Sequence, residues 1–230
     1  MHALKKYLAS SIGRKQLMGI TGIVLYAYLL VHLIGNVGML AGAQRYNEYG
    51  YLLLHKLAEI IIPVEIALIV ALAVHIFLAI TLAIENKAAR PIAYAMQKTS
   101  KKTLHSASMM MTGTAILIFV VIHIANFRYG SIGMGGYTMV TYDGVEMRDL
   151  YGTMMRAFSI WWYTAAYVLA MILIFSHLMH GVQSSFQSLG FNHAKYTPVI
   201  HWAGRLYAVL ITGGFSFLSI WAYFQHGGTP

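Results

Sequence analysis

Five long apolar stretches constrain this chain more than any other feature, at about residues 17–40, 63–84, 106–127, 158–182 and 206–224. A hydrocarbon core about 30 Å thick takes roughly 20 apolar residues as a helix, rising 1.5 Å each. Strands of a membrane barrel would alternate over about 10 residues, whereas these runs are continuous. The chain is 58% hydrophobic and only 10% charged, against about 25% charge in a soluble domain, which argues against a soluble enzyme. The expected fold is therefore an all-α membrane protein with five transmembrane helices. Residues 1–230 read as a single bundle domain, with no internal repeat and no low-complexity linker. Pro63 suits the first turn of the second helix.

Charge sets the expected orientation. The opening segment MHALKKYLASSIGRKQ is polar and basic and carries no short apolar region with a cleavage site, so it does not read as a removable signal. With five spans, residues 1–16, 85–105 and 181–205 share one side. They hold eleven of the 16 Lys and Arg, and nearly all the acids lie opposite. That asymmetry predicts a cytoplasmic N-terminus, and it explains the net charge of +9 without nucleic acid. Trp161, Trp162, Trp221 and Tyr223 suit interface positions at the outer ends of the last two spans. Cysteine is absent, which excludes disulfides, thiolate zinc and cysteine-ligated clusters within this chain.

Four successive spans each carry a histidine: His32, His75, His123 and His177, with His180 one turn beyond the last. An ionisable side chain at membrane depth is costly, so it marks a functional candidate. One such residue alone reads best as packing against a neighbouring helix. Four on four successive helices read as ligands, because neutral imidazole is the commonest metal ligand. Their depths form pairs. His32 and His123 lie roughly 22 and 25 Å along outgoing helices, near the outer face. His75 and His177 lie about 15 and 18 Å from the inner ends of returning helices.

Two facing imidazoles in a bundle are the way a b-type haem is held. Two ligands are too few for tetrahedral zinc. Ala71, Ala79, Gly35, Ala170 and Gly181 offer small neighbours for a porphyrin, although helix packing in membranes also uses small residues. Two stacked haems would make an electron path across the membrane. Proton relay through the histidines stays open, but it does not call for level pairs.

The segments SSIGRKQLMGITG, VHLIGN and YNEYGYLLL, with HLMHGVQSSFQSLG from His177 to Gly190, carry a resemblance that covers nearly the whole chain. Together they resemble the cytochrome b membrane-anchor subunit of succinate dehydrogenase/fumarate reductase, in its single-chain, five-helix, two-haem form. The resemblance implies a bacterial cytoplasmic membrane location. It also implies a flavoprotein subunit and an iron–sulfur subunit docked on the cytoplasmic face. Electrons would pass between that iron–sulfur subunit and a membrane quinone, menaquinone or ubiquinone, through two haem b groups. It implies His32 and His123 as ligands of the outer haem, and His75 and His177 of the inner one. His180 competes with His177, since both precede Gly181. Ser176 and Leu178 stand beside His177, where some family members carry an acid implicated in proton transfer.

Further candidates are secondary. Ser11, Arg14, Lys102, His105 and Arg205 lie near the inner face and suit anionic propionates, with lipid headgroups and topology as the competing role for the basic residues. Ser11 and Arg14 resemble a Ser/Arg pair lining quinone sites in related enzymes. Glu65 is expected in the first turn of the second helix, where the helix dipole favours a carboxylate. It would exchange quinone protons there, with Glu59 and Glu48 as competitors. The outer loop 129–151 reads as turns or a short hairpin without chemistry. Another quinone-reactive two-haem cytochrome b, or a haem-free proton-coupled transporter, remains an alternative.

Overall fold

The structure is a computed structural model that describes residues 6–7, 10–88, 109–130 and 137–225. Among these, five helices are long and apolar enough to cross a membrane: α1 (Ser11–Val37), α3 (Ala58–Ala88), α4 (Met109–Phe127), α6 (Trp161–Ser188) and α7 (Thr197–Gln225). The chain reads as a multi-pass membrane protein. Outward-facing Val31, Ile34, Ile69, Phe77, Ile84, Leu169 and Ile172 are all more than half exposed, which only lipid makes tolerable along whole helices.

Local chemistry sets the ends. The Ser10 hydroxyl accepts from the Gly13 amide at 3.1 Å and caps α1. At its far end, α6 closes with a Schellman motif. Gly190 takes φ +94°, its amide reaches the Gln187 carbonyl at 3.1 Å, and the Phe191 amide reaches the Phe186 carbonyl at 3.0 Å. The Phe186 and Phe191 rings meet across the turn, 6.0 Å apart. Thus α6 continues past 182 to Ser188 as one helix.

Pro63 is not where the sequence suggested. Helix α3 begins at Ala58, directly after a π-helical segment at Leu52–Lys56, and Pro63 lies inside it. Glu65 accordingly sits beyond the first turn, which holds Glu59 instead.

The spans are not equal partners. Helices α1, α6 and α7 pack into a core of Leu33, Ala170, Met171, Ile174, Leu178, Ala208, Ile211 and Leu218. The Tyr207 hydroxyl fastens α7 to α1 through the Tyr26 carbonyl at 2.5 Å. Helix α3 buries only Leu78 and Leu82, and α4 only Thr112 and Asn126. Helix α3 leans on α1, α4 leans on α6, and α3 and α4 hardly meet.

The end of the bundle away from the start of α1, labelled outer after the expected orientation, is capped by α2 (Ala43–Tyr51), α5 (Leu150–Phe158) and a hairpin of β1 (Met139–Tyr142) with β2 (Val145–Arg148). Asn47 is fully buried there. Its amide donates to Asp149 at 3.0 Å, and its oxygen accepts from the Tyr151 amide at 2.8 Å. Asp149 also caps α5 through the Gly152 amide at 2.8 Å. The hairpin matches the sequence reading of loop 129–151. Helix α2 was not foreseen, because a polar nine-residue segment carries no span signal.

Candidate functional site

One cavity of about 830 Å³ runs between α1, α3, α4 and α6. It extends from Asn86, Met109 and Ser188 at the inner end to Glu65, Arg128 and Tyr129 at the outer end. His32, His75, His123 and His177 all line it, and so does His180. Most of the remaining wall is aliphatic or aromatic, with further polar side chains from Asn36, Glu65, Asn86, Thr114, Arg128, Ser184, Ser185, Ser188 and Ser219.

The outer pair stands together. The His32 and His123 ring centres are 5.8 Å apart with planes at 89°. Two imidazoles that shared one metal ion, with bonds of about 2 Å each and about 1 Å from nitrogen to ring centre, would have ring centres roughly 6 Å apart. The observed separation is of that size. Aromatic rings crowd the pair: Tyr28 and Phe215 against His32, Phe119 and Phe127 against His123. His75 and His177 line the inner part of the same cavity.

Each of the four has a polar neighbour at Nδ1. Thr21 Oγ1 is 3.2 Å from His75 Nδ1, and Thr112 Oγ1 is 3.3 Å from His177 Nδ1. Tyr167 Oη is 3.2 Å from His123 Nδ1. A hydroxyl can accept from Nδ1–H, and that tautomer leaves the Nε2 lone pair for a metal. His32 differs, since the Asn36 amide nitrogen stands 3.4 Å from its Nδ1 and donates to the His32 carbonyl at 2.8 Å. The Tyr46 hydroxyl holds that amide by donating to its oxygen at 3.0 Å, so α2 of the outer cap positions His32.

These contacts expose a repeat that the sequence reading missed. Thr21-Gly22 on α1 is followed by His32, and Thr112-Gly113 on α4 is followed by His123, at the same spacing of eleven residues from threonine to histidine. In both copies the threonine meets the inner histidine of the next membrane helix. A Cβ on Gly22 would lie 3.6 Å from His75 Cε1, and one on Gly113 would lie 3.6 Å from His177 Cε1. The eleven-residue step places the two tiers roughly 16 Å apart along the helices. The signal was a Thr-Gly pair followed by a span histidine, twice.

Of the small neighbours named from sequence, Ala79 and Gly181 line the cavity, while Gly35 makes room for the Tyr49 hydroxyl and Gly181 also for the Tyr26 hydroxyl. The secondary candidates divide. Ser11 is exposed, the cap being Ser10, and Arg205 is exposed; neither lines the cavity. Arg14 forms an ion pair with Glu85 at the inner end of α3. Lys102 and His105 lie outside the described residues. Glu65 lines the outer mouth and pairs with Arg128, Oε1 to Nε at 3.3 Å. Glu48 and Glu59 do not line the cavity, and Glu48 accepts from Gln44 at 2.9 Å.

Among the described residues, no three His, Cys, Asp or Glu side chains gather as a metal site. The donor set is one of pairs, which suits a metal whose other ligands come from a macrocycle and not tetrahedral zinc. Comparison of the chain with protein-family models, curated proteins and solved structures finds no match.

Proposed function

We propose that this chain is the membrane anchor and electron-transfer subunit of a succinate:quinone oxidoreductase, of the cytochrome b kind that its sequence resembles. The observation that carries the two-haem part of the reading is the pair of tiers, His32/His123 and His75/His177, along one largely apolar cavity, with a hydroxyl at Nδ1 of His75, His123 and His177. His32 and His123 would hold one b haem, and His75 and His177 the other. Bound there, the haems supply one-electron chemistry, and the protein supplies position and potential.

The chain's own residues do the rest. Thr21, Thr112 and Tyr167 orient their imidazoles. Phe119, Phe127 and Phe215 keep water from the outer pair, which lowers the local dielectric around the iron site. Glu65, half-exposed at the outer mouth beside Arg128, is placed to hold a proton for a quinone arriving there. The assignment to succinate and fumarate, the flavoprotein and iron–sulfur partners, the bacterial inner membrane and the cytoplasmic N-terminus rest on the sequence resemblance and the basic loops.

The test is the spectrum of the purified protein. Two b haems per chain in the wild type, with one lost in each of His32→Ala, His75→Ala, His123→Ala and His177→Ala, would support the proposal. A colourless protein would favour the competing reading, a haem-free proton-coupled transporter, which the hydroxyl–imidazole contacts also suit. Co-purification of a flavoprotein that oxidises succinate separates this subunit from other quinone-reactive two-haem cytochromes.

A further inference from the structure

We propose that Tyr167 and Tyr163, ending on Asn126, form a hydrogen-bonded arm that sets the electron-donating strength of His123 and so lowers the potential of the outer haem. The inference rests on the two-haem reading and adds positioning residues to it.

The arm is continuous. Tyr167 Oη lies 3.2 Å from His123 Nδ1 and 3.1 Å from Tyr163 Oη, and Tyr163 Oη lies 2.9 Å from the Asn126 amide. Its members come from two helices, α4 and α6, and all are buried: Asn126 at 3%, Tyr163 at 5% and Tyr167 at 9% exposure. Phe127 and Phe158 pack against both tyrosine rings and hold their angles. The other three differ: the threonine behind His75 donates to the Leu17 and Met18 carbonyls at 3.0 Å, the one behind His177 donates to the Met109 carbonyl at 3.2 Å, and His32 is backed by the Asn36 amide and the Tyr46 hydroxyl.

The polarity of the arm matters. If protons point inward, Tyr167 donates to Nδ1 and the Nε2–H tautomer results, which has no lone pair for iron. If they point outward, Nδ1–H donates to Tyr167, Tyr167 donates to Tyr163, and Tyr163 donates to an oxygen of Asn126. Hydroxyl protons rotate freely and a half-turn exchanges the amide's oxygen and nitrogen. In the structure the Asn126 amide nitrogen faces the Tyr163 hydroxyl and Oδ1 is buried with no partner among the described residues; the half-turn brings the oxygen onto that hydroxyl and puts the nitrogen in the oxygen's former place. In the outward arrangement each donation makes the next oxygen a better acceptor. The imidazole becomes more basic, which stabilises ferric over ferrous iron.

The experiment is a potentiometric titration of the purified complex, read in the haem absorption bands, with the inner haem assigned from the His32→Ala protein. Tyr167→Phe keeps the ring and removes the hydroxyl. It is expected to keep two haems and to raise the outer haem's reduction equilibrium about tenfold, or about 59 mV for one electron. The inner haem should not move. Tyr163→Phe leaves Tyr167 in place and should shift the outer haem alone, in the same direction and by less. If Tyr167→Phe sheds the outer haem, the Tyr163→Phe result decides. Unchanged potentials in the variants, or equal shifts of both haems, overturn the proposal. A wild type without haem overturns the two-haem reading itself, and this inference with it.

Discussion

The inner and outer histidine tiers use the same four helices but clasp their rings by different means. At the inner tier, a Thr-Gly pair on a neighbouring helix grips each imidazole: hydroxyl at Nδ1, bare backbone beside Cε1. At the outer tier, large rings and an arm of tyrosines surround the pair, and the cap helix α2 reaches in through Tyr46 and Asn36. The inner tier is held by threonine hydroxyls from the neighbouring helix, the outer by aromatic rings and a tyrosine arm.

Under the proposed two-haem function, the largest expected effect comes from removing a proposed ligand. His123→Ala and His177→Ala should each take haem content from two per chain to one, measured by haem extraction, with the surviving haem from opposite tiers. His180→Ala should keep both. A reversed outcome at 177 and 180 would move the inner ligand by one turn and break the pairing with Thr112.

The next effect tests the clasp. Thr112→Val or Thr21→Val keeps the shape and deletes the hydroxyl. Loss of such a partner typically costs 10–100-fold in metal affinity, so these proteins should lose the inner haem in a competition with apo-globin while the outer haem stays. Equal loss from both tiers would deny that the threonines act locally. Gly22→Ala then sharpens the comparison within the inner tier. Its added methyl would stand 3.0 Å from Ser185 Oγ, whereas at Gly113 the nearest atom is 3.6 Å away. Gly22→Ala should therefore lower the thermal midpoint more than Gly113→Ala.

The smallest effect is at the outer mouth. The Glu65 and Arg128 side chains are 40% and 38% exposed, and an exposed pair contributes about 0–1 kcal/mol. Glu65→Gln should leave the thermal midpoint and haem content nearly unchanged. A fall in quinone turnover with that stability intact would separate a proton-handling role from a structural one.

Membrane embedding was legible from composition, because apolarity sustained over some 20 residues has few other solutions. The helix carrying each histidine, and the likeness of depth between His32 and His123, followed from simple rise per residue. The supporting contacts were not legible in that way. Gly35 and Gly181 looked as suitable beside a ring as Gly22 and Gly113, yet the former pair accommodates tyrosine hydroxyls. Glu65 misled because a proline normally starts a helix, and the π-helical segment before α3 moved that start upstream to Ala58.

The sequence by itself determined that the chain lies in a membrane, how many spans it offers and that each of four carries an imidazole; these are properties of local apolarity and helical rise. Only the tertiary structure decided which group backs which ring. His75 meets a threonine 54 residues away, His177 one 65 away and His123 a tyrosine 44 away. Such partners are chosen by how helices rotate and lean against one another, and no local pattern along the chain encodes that rotation.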